Sequence, residues 1–236
     1  MQKTELPIAL EGYPFIFLCA FATLVLAVLG SAVPAPAGCL LRTGSLAGLL
    51  LTGFVMYFFR DPVRVPPGQP DAIVCPADGK VIVVDEIDDD RFLHARARKI
   101  SIFMNVFNVH VNRIPLTGTV ERVVLSPGKF YSADQDKAVL HNEFCALTLT
   151  TPNQQRYAVV QIAGLIARRI VCRAEAGDRV LSGERFGMIR FGSRVDLYLP
   201  LAAHITVRAG EKVRAGETIL GALAAPAAAG PEESIV

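Results

Sequence analysis

The chain has 236 residues, 52% of them apolar, with 24 Lys and Arg against 22 Asp and Glu. A formal charge of +2 excludes the basic field that a nucleic-acid surface requires, and so large an apolar share calls for a membrane segment or an unusually large core. The five cysteines (Cys19, Cys39, Cys75, Cys145, Cys172) are odd in number and lack any C-x-x-C spacing, which argues against a metal or redox pair and for reduced thiols.

Phe15 to Val33 carries no charge over 19 residues, close to the ~20 that cross a hydrocarbon core as a helix. Lys3 is the only basic residue upstream and is opposed by Glu5 and Glu11, which counts against a secretory signal. A second apolar run, Thr43 to Phe59, stops at Arg60-Asp61-Pro62; about 17 residues long, it is short for a full span, so a re-entrant path stays open. The linker Pro34 to Gly38 is long enough only for a hairpin. Arg60 and Arg64 follow the second segment whereas only Arg42 follows the first linker, so the positive-inside rule puts the body on the cytoplasmic side. A helical hairpin buried in a soluble core is the competing reading. Pro62, Pro66, Pro67, Gly68 and Pro70 form a stiff exit.

From Ala72 on the pattern changes to short strands: Ile73 to Cys75, Lys80 to Val84, Ile100 to Met104, Gly118 to Leu125, Ala146 to Thr150, Tyr157 to Ile162 and Ile170 to Arg173. Close spacing with turns between them predicts mostly antiparallel β structure, an α+β chain with one helix near Ala133 to Leu140. The segment Ala176-Gly-Asp-Arg-Val-Leu-Ser-Gly-Glu184 is echoed by Ala209-Gly-Glu-Lys-Val-Arg-Ala-Gly-Glu217. Such paired turns predict a biotinyl/lipoyl-like barrel-sandwich in the C-terminal part. The expected organisation is a membrane hairpin over 1–62, a catalytic body over 63–222 and a loose tail over 223–236.

Two alternating runs, Arg185 to Phe191 and Arg194 to Leu199, are separated by Gly192-Ser193, where a bend or close backbone approach is expected. Taken alone, this is a turn, Asp78 is a turn residue before Gly79, and His110 between Val109 and Val111 is a satisfied sheet histidine.

The longer patterns change that reading. Gly183-Glu-Arg-Phe-Gly-Met-Ile-Arg-Phe-Gly-Ser-Arg-Val-Asp196, preceded by Ala167-Arg-Arg-Ile-Val-Cys172 and Gly177-Asp178, resembles the cleavage region of the short form of phosphatidylserine decarboxylases. The likeness continues in Pro76-Ala-Asp-Gly79, Phe107-Asn-Val-His-Val-Asn-Arg113 and His141-Asn-Glu143, and covers roughly residues 60 to 222. It implies that Ser193 Oγ attacks the Gly192 carbonyl, turning the peptide bond into an ester. Elimination then leaves dehydroalanine, and hydrolysis releases ammonia and a covalent pyruvoyl cofactor at residue 193. The products are a large chain, 1–192, and a small chain, 193–236.

The resemblance further implies Asp78 and His110 as the orienting acid and the base of an Asp, His, Ser set. His110, with a reference pKa of ~6.5, is also the candidate proton donor to the substrate α-carbon. His141 is a pocket candidate. No metal is expected, since the histidines lack paired spacing. The implied reaction takes phosphatidylserine in membrane lipid to phosphatidylethanolamine through a pyruvoyl Schiff base, at the inner face of the cell membrane. The chain departs from the pattern in two places: Phe144-Cys145 replaces a usual Arg-Asn, and Arg113 stands where long-form relatives carry a second histidine. Competing readings are an archaetidylserine decarboxylase, an uncut membrane-tethered serine hydrolase, lacking a Gly-x-Ser-x-Gly elbow, and a non-enzymatic lipoyl-like adaptor. Homo-oligomerisation is left open.

Overall fold

The computed structural model describes residues 7–69, 71–128, 142–164, 169–190 and 193–223. Two compact units emerge: residues 1–63 with 106–110, and residues 64–105 with 111–236. The expected boundary near 62 is close to this division, but the short stretch 106–110 groups with the helices. The helix expected at Ala133 to Leu140 and the tail after 223 lie outside the described residues.

In the first unit a short 3-10 turn, Leu10–Gly12, leads into α1 (Tyr13–Ala32), with Pro14 in its first turn, where a missing N–H costs nothing. The second helix, α2 (Ala37–Phe58), is longer than the Thr43 to Phe59 run because Ala37 to Arg42 extend it at the front. Both are long and apolar enough to cross a membrane. Phe17, Phe21, Leu24, Leu40, Leu49 and Leu50 stand exposed on them, so the outer surface of the hairpin is apolar and is not packed into a protein core. That is evidence against the buried soluble hairpin. Ile8 bridges to Arg60, and Ala9 N–H donates to the Phe59 carbonyl at 2.8 Å, so the two ends of the hairpin are pinned together.

Among the described residues the second unit is all β. Its strands are β1 (Ala72–Val74), β2 (Gly79–Asp89), β3 (Ala95–Met104), β4 (Val111–Arg113), β5 (Gly118–Ser126), β6 (Phe144–Thr150) and β7 (Arg156–Ala163). There follow β8 (Ile170–Cys172), β9 (Arg179–Val180), β10 (Arg185–Ile189), β11 (Ser193–Pro200), β12 (Ala203–Ile205), β13 (Lys212–Val213) and β14 (Ile219–Leu223). Every pairing between them is antiparallel. An eight-stranded sheet runs β13-β2-β3-β11-β7-β6-β5-β9 and curls into a half-barrel, accompanied by the three-stranded sheets β1-β14-β12 and β4-β10-β8.

The large sheet reads alike from both edges. Pro76-Ala-Asp-Gly79 opens β2, and Pro115-Leu-Thr-Gly118 opens β5. Each glycine starts a long strand where a Cβ would collide with a facing carbonyl, Phe103 O at 2.1 Å from Gly79 and Thr150 O at 2.6 Å from Gly118. The repeated Gly-Glu segments supply the edge strands β9 and β13. Their four glycines, Gly177, Gly183, Gly210 and Gly216, all have positive φ, which explains why the echo preserves glycine at those places.

The centre of the sheet is β11, laddered to β3 on one side and β7 on the other. Its alternation divides two buried faces. Val195, Leu197 and Leu199 join the main core with Ile100, Ile102 and Val159. Tyr198 points to a second cluster with Phe92, Leu93, Ala158 and Val160. Both faces are buried, so the charged Arg194 and Asp196 that precede Tyr198 on the second face need partners within the protein.

Candidate active site

Ser193 is the first residue of β11 and is fully buried (0% exposed). It lies opposite Met104 on β3 and Ala163 on β7. Its side chain shares the core face with Val195, and its hydroxyl finds a weak acceptor, donating to Met104 Sδ at 3.5 Å. The next two charged residues of the motif do structural work on the other face. Arg194 Nε meets Asp196 Oδ1 at 2.5 Å, Arg194 Nη2 donates to Ser101 Oγ at 2.7 Å, and Lys99 Nζ lies 3.3 Å from Asp196 Oδ2. With Arg194 and Asp196 buried, these partners hold the start of β11 in register against β3.

Polar groups that the sequence reading did not single out converge beside the serine. Asn112, on β4, donates from Nδ2 to the same Met104 sulfur at 3.7 Å. Gln161, on β7 opposite Val195, donates from Nε2 to Asn112 Oδ1 at 2.8 Å, while its own Oε1 has no partner among the described residues. Met104, Asn112 and Gln161 are all 0% exposed. A sequence signal existed for both amides. Asn112 falls within the shared Phe107 to Arg113 motif, and Gln161 is a lone polar residue in the otherwise apolar run Tyr157 to Ala163.

Asp78 sits in the turn before β2 and is nearly buried. Its Oδ1 accepts the Ala215 N–H at 2.8 Å and its Oδ2 pairs with Arg64 Nη2 at 2.9 Å; Arg64 Nη1 in turn donates to the Ala215 carbonyl at 2.9 Å. The first bond has a counterpart in the other half of the sheet, where Thr117 Oγ1 accepts the Ser182 N–H at 3.1 Å. The Arg64 pair is what Asp78 has beyond a turn staple. Arg113, at the place of the long-form histidine, donates from Nη1 to the Gly183 carbonyl at 2.9 Å.

His110 ends the segment that groups with the helices. The Phe107 carbonyl accepts from Arg60 Nη2 at 2.7 Å and from the Tyr57 hydroxyl at 3.2 Å, and the Phe54 ring meets Phe107 edge-on. The His110 ring lies against Phe58. Its Nδ1 is 2.9 Å from the Asn108 carbonyl. A carbonyl only accepts, so Nδ1 carries the proton and Nε2 the lone pair, and Nε2 has no partner among the described residues. Burial pushes the His110 pKa down to about 4, aided by the nearby Arg60 charge. The ring is therefore neutral at neutral pH, which suits a base; a donor role near neutrality, expected from the reference value, is what burial disfavours. Thus Ser193 is gathered with Met104, Asn112 and Gln161, Asp78 with Arg64 and Ala215, and His110 with Asn108 and Phe58. Gly192 and His141 lie outside the described residues.

The described residues define an antiparallel β protein that carries an apolar helical hairpin and holds a fully buried serine, beside two buried amides, at the head of its central strand. The phosphatidylserine decarboxylase family model matches residues 51–221. The chain is 52% identical over 221 residues to the phosphatidylserine decarboxylase proenzyme of Desulfotalea psychrophila, covering 94% of this chain and 99% of that protein. It is 47% identical over 223 residues to the proenzyme of the same description from Geobacter sulfurreducens, covering 94% and 100%. The chain belongs to the phosphatidylserine decarboxylase family. It is a carboxy-lyase of phospholipid biosynthesis, made as a proenzyme that processes itself to gain a serine-derived pyruvoyl group and converts phosphatidylserine to phosphatidylethanolamine.

Proposed function

We propose that Ser193 is the serine of the self-cleavage, that the cut falls between Gly192 and Ser193, and that His110 and Asp78 serve the cut as base and supporting carboxylate. The observation that carries this reading is the position of Ser193 as first residue of the central strand. A cut before it leaves β11 laddered to β3 and β7, β13 to β2, and β14 to β1, so four strands of the small chain stay paired through three of them with the large chain. The buried surroundings of residue 193 fit a pyruvoyl group: they are closed to solvent, and Asn112 offers an amide donor for a carbonyl oxygen.

That group supplies an electron sink for decarboxylation. His110, neutral with a lone pair on Nε2, accepts the Ser193 proton, since a serine hydroxyl is a poor nucleophile without a base. The Asn108 carbonyl sets the tautomer that this requires. Asp78 holds Arg64 and the Ala215 amide, which tie the turn before β2 to the small-chain segment.

The substrate is a bilayer lipid, and the exposed apolar helices suit an enzyme that stays at the membrane. Arg60 and Arg64 after α2 favour a body on the cytoplasmic face of the inner membrane. Intact-mass measurement tests the assignment. Wild type should yield two chains ending at 192 and beginning at 193, the second carrying a ketone, while Ser193→Ala should remain one inactive chain. Processing of that variant between 192 and 193 would overturn it.

A further inference from the structure

We propose that Asn112 donates a hydrogen bond to the ketone oxygen formed at residue 193 and that Gln161 is the positioning residue that aims it. The proposal rests on Ser193 being the processed serine.

In the precursor the Ser193 hydroxyl and the Asn112 amide both donate to one acceptor, Met104 Sδ, at 3.5 and 3.7 Å. A thioether sulfur is a weak acceptor, so neither donor is strongly held. Processing turns residue 193 from a donor into a carbonyl, which only accepts. Met104 then has nothing to offer residue 193, whereas Asn112 Nδ2–H is a donor already directed at the same sulfur. The strand register puts the partners on one face: Ser193 is opposite Ala163, and Gln161 is two residues away on the same strand, its side chain on the same side as Ser193.

Gln161 decides which end of Asn112 faces residue 193. An amide flipped by half a turn would present its oxygen to the sulfur, and to the ketone after it, as a repulsive pair of acceptors. The Gln161 Nε2 bond to Asn112 Oδ1 at 2.8 Å opposes that flip. The Gln161 amide is itself confined: a Cβ on Gly187 would come within 2.9 Å of Nε2. A preorganised donor at a carbonyl that gains electron density during reaction is commonly worth 10²–10³ in rate.

The test uses the full chain in detergent, with serine labelled with carbon-13 at Cα. Only the ketone carbon derived from that label absorbs in the carbonyl region of the infrared, so the isotope shift isolates its band. Asn112→Leu and Gln161→Met are compared with wild type for cutting, for ketone frequency and for kcat and KM. Asn112→Leu should be cut, show a ketone band at higher frequency, and lose about 10²-fold in kcat with KM little changed. Gln161→Met should move the band in the same direction with a smaller loss. A cut Asn112→Leu protein with the wild-type band and kcat overturns the proposal. If Asn112→Leu stays uncut, Gln161→Met decides: an up-shifted band supports the proposal, and an unshifted band with unchanged kcat overturns it. Failure of the underlying Ser193 reading would look different, since wild type itself would then carry no ketone at residue 193.

Discussion

The His110 ring stacks on Phe58, the last residue of the second apolar helix, with ring centroids 4.3 Å apart and planes tilted by 32°. The histidine proposed as base is thus held by the end of the apolar hairpin. Arg60 and Tyr57 fix the preceding Phe107 carbonyl from the same helix end.

Phe58→Ala should therefore slow self-cleavage, because the ring that confines His110 is lost, whereas Phe58→Leu should cut close to the wild-type rate. Removing a buried Phe side chain costs about 3–5 kcal/mol of local packing. Deleting residues 1–59 should release the protein from vesicles and slow cutting at least as much. The conversion of precursor to two chains, followed on a denaturing gel, checks both. A truncated protein that cuts at full speed would detach His110 from this support.

The pH dependence of cutting follows from the lowered His110 pKa. A base that titrates near 4 keeps its lone pair far below neutrality, so the rate should hold down to about pH 5 and fall only near 4. Stability moves with the same group. Between about 4 and the ~6.5 of an unfolded histidine, the unfolded chain binds the extra proton. His110 therefore lowers folding stability as pH falls through that window and leaves it flat above. An acid limb centred at 6.5 in the cleavage profile would contradict the buried, neutral ring.

Asp78 can be separated from its structural duty by copying the other half of the sheet. Asp78→Thr imitates Thr117 and keeps an oxygen for the Ala215 N–H, but removes the nearer of the two carboxylates on Arg64 and leaves only Glu217, 3.8 Å from Arg64 Nε, a change of about 1.5–3 kcal/mol. Adding Arg64→Met should restore much of that loss. If Asp78 supports the base, the double variant should fold and still cut about 10²–10⁴ times more slowly. Wild-type cutting by a stable double variant, measured beside its thermal midpoint, would reduce Asp78 to a turn residue.

Leu197→Ala probes the seam between the two chains. Leu197 is fully buried between β3 and β7, opposite Ile100 and Val159, so its truncation should cost about 2–5 kcal/mol. Because β11 belongs to the small chain after the cut, that chain should leave the processed enzyme at lower urea than in wild type. An unchanged midpoint by gel filtration in urea would mean that other strands hold the pieces together.

Much was legible from residues alone, because the signals are local. Hydropathy over some twenty residues marked both helices, and two-residue alternation marked most strands, with β11 found within a residue or two of its ends. The Gly-Glu echo announced a repeated turn, borne out by positive φ at Gly177, Gly183, Gly210 and Gly216. The resemblance carried Ser193, His110 and Asp78 as candidates. What chain order could not reveal was company. Residues 106–110 group with helices some fifty positions earlier, since Arg60, Tyr57 and Phe58 reach them from the end of α2. Asn112, Gln161 and Met104 meet beside Ser193 only once β3, β4, β7 and β11 have paired and packed. Patterning tells which side of a strand is apolar, but which buried amide faces which hydroxyl depends on long-range register and on sheets crossing, and those exist only in the folded chain.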